Sequence, residues 1–393
     1  MEQRRREIPV GGSSRARGAM KCEDSAGSLP QSGKTAAGVM KVRIVGDGDE
    51  QAWDRMVEEH PFGSVFQTSA FKKVIAETFA QTKPYYLALI DRNGKMVGGI
   101  AMFLVRSRLT GRRLVSLPFV YYSDPLVRTG AEFAQLFEKI LDVYKEEKAS
   151  YVEIKARSSA ALLEKVETMV PVLYHKRHSL NLAKGLDAVW VGFHRTCIKQ
   201  KIRRAEKSGI VIRSAASEKD IAFFHRLLVR TRRRLGIPPQ NYGYFENIWK
   251  HLGPLGVTDF LVAEKGEQII GGLNIFKYKD TVYLAHIVGD QRFRASGTDQ
   301  ALIWSAIKTG VRGGYRQLDI GKTSMFATGL TAHKRRWGAE ELEAPHFYYP
   351  YLRGIASHNN EKRISYKLTR LVWRSMPGIP ARIAGRFVYR HMG

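Results

Sequence analysis

Two nearly identical eight-residue segments constrain the fold of this chain more than any other feature. One reads MVGGIAMF, from Met96 to Phe103, and the other reads IIGGLNIF, from Ile269 to Phe276. A glycine pair in one apolar strand would indicate only a bulge or a close backbone approach. The same pair in the same apolar pattern, in both halves of the chain, indicates an internal duplication.

The segments around the two glycine pairs repeat as well. Helical patterns (SAFKKVIAETF and YFENIWKHL) and apolar runs (YYLALI and DFLVAE) precede them, joined to the glycine strands by the turns DRNGK and KGEQ. Glycine-containing turns of this kind supply the positive φ of tight hairpins. A third apolar run, a long helical pattern and a short strand then follow in each half. We predict an α/β fold in which the order helix, three antiparallel strands, helix, strand occurs twice.

The composition limits the partners and the compartment. The 393 residues carry a net charge of +27, which favours an acidic partner such as nucleic acid, a phosphorylated substrate or an anionic membrane. Only Cys22 and Cys197 are present, which excludes a disulfide framework or a cysteine zinc site and indicates a reducing, cytoplasmic compartment. No spacing of histidine or cysteine suggests a metal site. Residues 1–39 lack an apolar period, and we interpret them as a disordered basic tail or a mis-assigned start.

The predicted element order resembles the core of GNAT acyltransferases. That resemblance implies that a helix N-terminus in each half faces a pyrophosphate, as helix N-termini favour anions. The second half offers Arg294-x-x-Gly297-x-Asp299 at this place, a partial match to the family pattern Q/R-x-x-G-x-G/A, and the first half matches less. The resemblance therefore supports the fold more than it supports coenzyme A binding.

Longer motifs resemble the FemAB/FemX-type aminoacyltransferases, which join two GNAT-like domains in tandem. The segments are PFGSVFQTSAFKKVI from Pro61, FHRTCIKQKIRRAEKSGIVI from Phe193, and GYRQLDIGKTSMFATGLTAHKRRWGAEEL from Gly314. The C-terminal segment resembles the branch associated with PEP-CTERM/exosortase systems. We expect GNAT-like domains at 41–175 and 180–352, with mixed, largely antiparallel sheets, and basic amphipathic helices at 353–393.

The resemblance implies a set of site residues. Lys334, with Arg335 beside it in HKRRWG, corresponds to the family lysine near the reacting acyl group; the alternative is a solvated basic turn before a buried Trp337. Lys73 corresponds to a lysine near the acceptor's phosphates, or is an exposed helix charge. The family's paired arginine is missing, since Gln240 and Asn241 stand in its place, which argues against direct transfer of the nucleotide-sugar peptide acceptor to this chain.

Three acidic residues are further candidates. Asp319 is expected to end a strand at the turn into Gly321, where it would position substrate, accept a proton or cap the turn. Glu153 is its equivalent in the first half. Asp124 follows the third apolar run, in a region that borders the acceptor channel in the family.

A basic helix opens the second half. Lys199, Arg203 and Arg204 belong to a run of six cations with one acid, Glu206, on a helix that also has an apolar stripe. The alternatives are a solvated face and a groove for a phosphorylated donor such as aminoacyl-tRNA, bound through phosphate contacts.

Three functions remain open. The first is an aminoacyl- or acyltransferase acting on an amino sugar or peptide of a lipid- or nucleotide-linked cell-envelope or exopolysaccharide precursor. The second is an acyl-CoA-dependent N-acyltransferase acting on a small amine, and the third is a non-catalytic nucleic-acid or membrane binder. No bound cofactor is expected; aminoacyl-tRNA or acyl-CoA is a co-substrate, and we infer no obligate protein partner.

The C-terminal segment carries its own expectation. Residues 353–393 contain nine Lys or Arg and one acid, Glu361, and their apolar residues alternate with arginines at helical spacing. Pro377 and Pro380 are expected to separate two short helices. The pattern suits interfacial helices on an anionic membrane, at the inner face, or a helical pair packed on the protein's own core.

Overall fold

The computed structural model describes residues 40–109, 111–351 and 364–391, which belong to one compact unit. The predicted basic tail, residues 1–39, lies outside these ranges, as do residues 353–363 and 392–393 of the predicted C-terminal segment.

Each repeat contains strand, two helices, three strands, helix, strand, short helix and strand. The first repeat consists of β1 (Lys41–Ile44), α1 (Glu50–Glu59), α2 (Ser69–Thr78), β2 (Thr82–Ile90), β3 (Met96–Ser107), β4 (Gly111–Val115), α3 (Gly130–Glu146), β5 (Tyr151–Lys155), α4 (Ala160–Leu163) and β6 (Val170–Asn181). After α5 (Gly185–Val191), a π-helical turn (Arg195–Lys199) and α6 (Gln200–Lys207), the second repeat consists of β7 (Ile210–Ser214), α7 (Glu218–Leu235), α8 (Tyr242–Leu252), β8 (Thr258–Lys265), β9 (Gln268–Tyr278), β10 (Thr281–Gly289), α9 (Thr298–Arg312), β11 (Gln317–Ser324), α10 (Thr328–Arg335) and β12 (Glu340–Tyr349). Two further helices, α11 (Ile364–Ser375) and α12 (Gly378–Tyr389), follow. Pro377 lies between them as predicted, whereas Pro380 lies in the first turn of α12 and does not separate the helices.

In both repeats, an aromatic ring from the first helix packs directly against the second glycine of the pair. A Cβ on Gly99 would lie 2.8 Å from the ring of Trp53 in α1, and a Cβ on Gly272 would lie 2.7 Å from the ring of Phe224 in α7. Any larger residue would push the first helix of the repeat away from the sheet. The duplicated sequence therefore reflects one packing solution used twice.

The twelve strands form one sheet in the order β1-β2-β3-β4-β5-β12-β6-β11-β10-β9-β8-β7. Neighbouring strands are antiparallel except for the β4–β5 and β10–β11 pairs. The closing strand of each repeat pairs with the other repeat: β12 lies beside β5, β6 lies beside β11, and β6 and β12 pair with each other. The repeats are thus joined by an exchange of closing strands. The predicted boundary between residues 175 and 180 falls inside β6.

Three apolar cores hold the sheet and helices together. One lies between the helix pairs of the two repeats, α1–α2 and α7–α8, and includes Phe71, Phe224 and Phe276. The helix α3 covers the other face of the first repeat's strands, and α6 and α9 cover that of the second repeat's strands. The first core packs α1 and α2 of the first repeat against α7 and α8 of the second. The strands in the middle of the sheet, from both repeats, therefore border one common space.

The third apolar run of the first repeat differs from the expected strand. The strand β4 stops at Val115, whereas its counterpart β10 continues to Gly289. Residues 116–123 form a loop instead, in which Leu117 (φ 52°) and Phe119 (φ 66°) adopt the left-handed region that bulky residues rarely enter. This loop carries Tyr121 and Tyr122 toward the second repeat.

Candidate active site

A cavity of about 950 Å³ lies between the two repeats. Its wall is formed by the 116–123 loop, the central strands β5, β10, β11 and β12, the helix α7 and the end of α12. The ionisable residues that matter for its chemistry are Glu153, Lys155, His175, Asp319, Lys322 and His346. Because both repeats contribute, neither of them alone builds the cavity.

A bulge in β11 places Asp319 and Lys322 on the same side of the sheet. Asp319 pairs with Ser179 of β6 and Lys322 pairs with Arg177, so three residue steps on β11 match two on β6. Residues three apart on a regular strand point to opposite faces, and one extra residue returns them to the same face. The expectation that the strand ends at Asp319 is therefore wrong, since β11 continues through Gly321 (φ 75°) to Ser324.

Both oxygens of the Asp319 carboxyl accept hydrogen bonds. The Tyr122 hydroxyl donates to Oδ2 at 2.5 Å, and the backbone N–H of Gly321 donates to Oδ1 at 2.6 Å. Burial and the neighbouring Asp319 raise the pKa of Tyr122 well above its usual value, so the hydroxyl keeps its proton and donates. The acid of the second repeat is thus fixed by a tyrosine from the first repeat.

Lys322 is a half-buried amine inside this cavity. Its Nζ lies 5.3 Å from the centre of the Tyr121 ring, and among the described residues no hydrogen-bond acceptor contacts it. Burial, with the nearby charge of Lys155, lowers the pKa of Lys322 to about 8, although Glu153 opposes the shift. A lysine amine with such a pKa is partly neutral near pH 8 and can accept a proton.

Glu153 is the counterpart of Asp319 in the first repeat and has different partners. His346 Nδ1 and Glu153 Oε1 share a hydrogen bond of 2.7 Å, and the Tyr348 hydroxyl donates to the same oxygen at 3.2 Å. Burial alone would raise the pKa of Glu153, but the charge of Lys155 and the bond to His346 lower it to about 2. Burial lowers the pKa of His346, so a neutral imidazole donates to a carboxylate here.

Lys334 is buried but does not line the cavity. Its Nζ donates to the carbonyl oxygens of Gly321 at 2.8 Å and of Lys322 at 3.1 Å, which are the backbone groups of the bulge. Trp337, three residues later, packs in the core with Leu318, which alternates with Asp319 along β11. Lys334 therefore approaches the bulge from the face opposite to the cavity, where its ammonium stabilises the bulge.

Asp124 holds a loop in place. Its Oδ1 accepts hydrogen bonds from the backbone N–H groups of Arg157, Ser158 and Ser159, at 2.7–2.9 Å, and from the Ser159 hydroxyl. These bonds fix the chain that follows β5. Asp124 is not part of the cavity wall.

The other predicted binding residues lie outside the cavity. Lys73 is exposed on α2 and pairs with Glu50 at 2.9 Å, and Arg335 is exposed and pairs with Glu341. Arg204 and Arg294 are exposed beside the start of α9, and Arg203 lies over the Trp190 ring, 5.7 Å from its centre. Lys199 donates to the Val191 carbonyl and Arg204 donates to the Ala295 carbonyl.

The start of α9 is closely covered by α6. A Cβ on Gly297 would lie only 2.2 Å from the carbonyl oxygen of Lys201, so the α6 backbone passes directly over this position. Gly297 belongs to the partial phosphate-loop pattern described above. The backbone of α6 therefore occupies space beside the helix end that would face a pyrophosphate.

Sequence reasoning found Asp319 and Glu153 but missed Lys322 and Tyr122. The available signal for Lys322 was the pair of strands VEIKA and LDIGKT, in which one glycine is inserted between the acid and the lysine. For Tyr122 no local signal existed, since its partner is almost two hundred residues away.

Comparisons with known proteins agree with this architecture. Residues 192–335 match the profile of the family described as "Acetyltransferase (GNAT) domain", which covers much of the second repeat. No curated protein sequence matches the chain.

Three solved structures have a similar fold. FemX is 15% identical, with a TM-score of 0.66 over 84% of this chain and 100% of that chain. L-PGS from Bacillus licheniformis is 14% identical, with a TM-score of 0.53 over 83% of this chain and 96% of that chain. A tandem GNAT protein from the clavulanic acid biosynthesis pathway is 9% identical, with a TM-score of 0.51 over 79% of this chain and 98% of that chain. The predicted fold of two tandem GNAT-like units with a helical C-terminal tail is confirmed.

The described residues carry neither a candidate membrane-spanning helix nor a candidate metal cluster. Among residues 40–109, 111–351 and 364–391, no helix has the length and apolar character to cross a membrane. Within the same ranges, no group of three or more His, Cys, Asp or Glu side chains is arranged to hold a metal ion.

Proposed function

We propose that this chain is an acyltransferase that forms an amide on an amino sugar or peptide of a cell-envelope or exopolysaccharide precursor. The observation that carries the proposal is the cavity between the repeats, which places a carboxylate, Asp319, and a partly neutral amine, Lys322, on one strand. The tail's resemblance to the PEP-CTERM-associated branch is the reason that exopolysaccharide precursors stand beside peptidoglycan ones.

The reaction needs a neutral amine and a place for its proton. The acceptor nitrogen attacks the acyl carbon, a C–N bond forms, and the C–O or C–S bond to the donor breaks. The amine loses a proton in this sequence, and neutral Lys322 accepts it and returns it to the leaving oxygen or sulfur. The Asp319 carboxylate, held by Tyr122, accepts a hydrogen bond from the incoming neutral amine and orients it.

Two observations favour an aminoacyl-tRNA donor over acyl-CoA. The α6 backbone covers Gly297 at the start of α9, where a GNAT pyrophosphate would bind. The exposed Arg204 and Arg294 beside it, with Lys199 and Arg203 on the same helical segment as Arg204, suit a phosphate backbone. The match of residues 192–335 to the GNAT acetyltransferase profile is what keeps acyl-CoA as the second candidate donor.

The experiment compares the two donors directly. Purified full-length protein is incubated with labelled aminoacyl-tRNA or labelled acyl-CoA, together with lipid-linked and nucleotide-linked amino sugars and peptides, and transfer of label is measured. We expect transfer from aminoacyl-tRNA that is lost in Asp319→Asn and Lys322→Met. The matched control is Lys176→Met, a lysine of the adjacent strand that pairs with Glu341 outside the cavity.

Other outcomes have definite meanings. Transfer only from acyl-CoA would replace the donor and keep the chemistry. No transfer from either donor, combined with salt-sensitive binding of RNA, would support the non-catalytic binder instead. Transfer that survives both cavity substitutions would contradict the assignment of this cavity.

A further inference from the structure

The two C-terminal helices expose a set of large apolar side chains. Six of them are between 56% and 68% exposed: Leu368, Leu371, Val372, Ile379, Ile383 and Phe387. We call these six residues the tail stripe. Soluble surfaces normally scatter exposed apolar residues singly, so six on two consecutive short helices indicate a contact surface.

The tail stripe is exposed although both helices are firmly docked. Their opposite faces bury Trp373, Ala381 and Tyr389 against the protein. A Cβ on Gly236 would lie 2.6 Å from the carbonyl oxygen of Arg370, and one on Gly385 would lie 2.5 Å from that of Pro239. The helices thus pack on the end of α7 at backbone distance, and the core-packing alternative explains one face but leaves the tail stripe without a partner among the described residues.

The charges beside the tail stripe indicate which kind of partner it contacts. Residues 364–391 contain six Lys or Arg and no Asp or Glu. In a symmetric pair of copies, the same arginines would face each other and repel. Nucleic acid would use the cations but would leave the aliphatic side chains without a partner. Apolar side chains flanked by cations are the pattern of a helix that lies in the interface of an anionic bilayer.

We propose that the tail stripe, with its flanking arginines, is a membrane-docking surface for an anionic lipid bilayer. The apolar side chains would enter the acyl boundary, and Arg374, Arg382 and Arg386 would meet lipid phosphates. This proposal concerns binding alone and holds whether or not acyl transfer is found.

The helix that carries half of the tail stripe also borders the cavity. Tyr389, at the end of α12, lines the cavity together with His391, and the Gln81 amide donates to the Tyr389 carbonyl at 3.1 Å. A twelve-residue helix is about 18 Å long, so the cavity wall lies within one helix length of the tail stripe. Resting on the proposed acyl transfer, this proximity favours an acceptor carried on a lipid.

The test measures partitioning of the full chain onto vesicles by co-sedimentation. The probes are phosphatidylcholine vesicles with and without phosphatidylglycerol, at low and high salt. We expect binding that requires phosphatidylglycerol and weakens with salt. Ile383→Asp should weaken it at least about tenfold, from the lost burial of one large apolar side chain, and Arg386→Gln should weaken it about fivefold.

Matched controls keep the test specific. Leu255→Asp replaces a similarly exposed apolar residue between α8 and β8, and Lys308→Gln replaces a cation on α9; both should bind like wild type. Melting temperatures establish that each variant is folded. Equal binding to uncharged vesicles, no binding at low salt, or Ile383→Asp binding as tightly as wild type would overturn the proposal. So would a dimer that Ile383→Asp dissociates without changing vesicle binding. The vesicle assay uses no acyl donor, so its failure and that of the transfer assay are distinguishable.

Discussion

The two repeats present the same pair of side chains to the cavity in different states. In the first repeat Glu153 and Lys155 are two residues apart on a regular strand, and in the second Asp319 and Lys322 are three apart across a bulge. Lys155 is buried and donates to the Leu117 carbonyl at 3.1 Å, whereas Lys322 faces the cavity beside the Tyr121 ring. The glycine inserted before Lys322 therefore accounts for the difference: Lys155 is held by a backbone carbonyl, whereas the Lys322 amine is available for chemistry.

The acids of the two repeats, like the lysines, have different partners. Glu153 is fixed in its charged form by Lys155 and by the hydrogen bond from His346. Asp319 is held by Tyr122, which belongs to the other repeat. Glu153 and Asp319 occupy equivalent positions in the two repeats. Because the closing strands are exchanged, β12 lies beside Glu153 and β6 lies beside Asp319, so the two acids have different neighbours. In the proposed mechanism, the second repeat supplies the reacting side chains and the first repeat completes the cavity around them.

The sharpest test of this comparison replaces the two lysines separately. Lys322→Met should lower turnover by about 10²–10⁴-fold, the usual contribution of a general base, without lowering the melting temperature. Lys155→Met should change stability and leave most of the turnover. The measurement is label transfer beside thermal unfolding of each variant; an active Lys322→Met protein would remove the distinction between the repeats.

Trp337→Ala should have the largest effect on folding. The indole is 1% exposed and packs against Phe193 at 5.0 Å between ring centres in the second repeat's core. We expect the free energy of unfolding to fall by roughly 3–5 kcal/mol, from lost burial and the cavity that is left. Chemical denaturation measures the change, with the half-buried Trp190→Ala as a milder comparison. A loss under 1 kcal/mol would mean that this core is not what holds the closing segment.

Lys334→Met should act on stability first and on turnover second. The substitution leaves the Gly321 and Lys322 carbonyls without their donor, at a cost of about 1–3 kcal/mol. The neighbouring Arg335→Met, which breaks only an exposed pair, should cost under about 1 kcal/mol. If Lys334→Met keeps its full stability and loses all turnover, the lysine touches the reacting groups, as the sequence resemblance implied, and does not merely support the bulge.

The smallest expected effect is the pH dependence of turnover. Lys322 has a pKa of about 8 and must be neutral to accept a proton. We therefore expect turnover to rise with pH and to level off once the pH exceeds the pKa of Lys322. Between roughly pH 7 and pH 9 the neutral fraction grows about tenfold. The same lowered pKa means that the folded state binds this proton less tightly than the unfolded state, so stability also rises from about pH 8 toward the usual lysine range. A flat turnover profile in this window would exclude Lys322 as the base.

Local patterns predicted the elements well because their signals are local. The glycine pairs, hairpin turns and helical periods located the strands and helices of both repeats, and Pro377 located the break between α11 and α12. The third apolar run of the first repeat was the exception. Its apolar residues suit a strand, but Leu117 and Phe119 turn into a loop whose conformation depends on the cavity that it encloses.

The candidate site was predicted only in part. Asp319 and Glu153 were identified because a duplication makes equivalent positions visible in the sequence. Lys334 was identified by resemblance. Its contact with the bulge could not be predicted, because the extra residue that forms the bulge in β11 leaves no signal in the alternation of the sequence. Arg204 and Arg294 do lie close together, but neither they nor Lys199 and Arg203 line the cavity.

The sequence by itself determined the duplicated α/β fold, the acid in each repeat and the amphipathic tail, because each of these is encoded by a period or a repeat within a few dozen residues. Only the tertiary structure decided that closing strands are exchanged, that Tyr122 holds Asp319, and that the tail stripe remains exposed. The physical reason is that these features depend on contacts between segments remote in the chain. Such contacts are chosen by the packing of the whole molecule, and no local pattern records them.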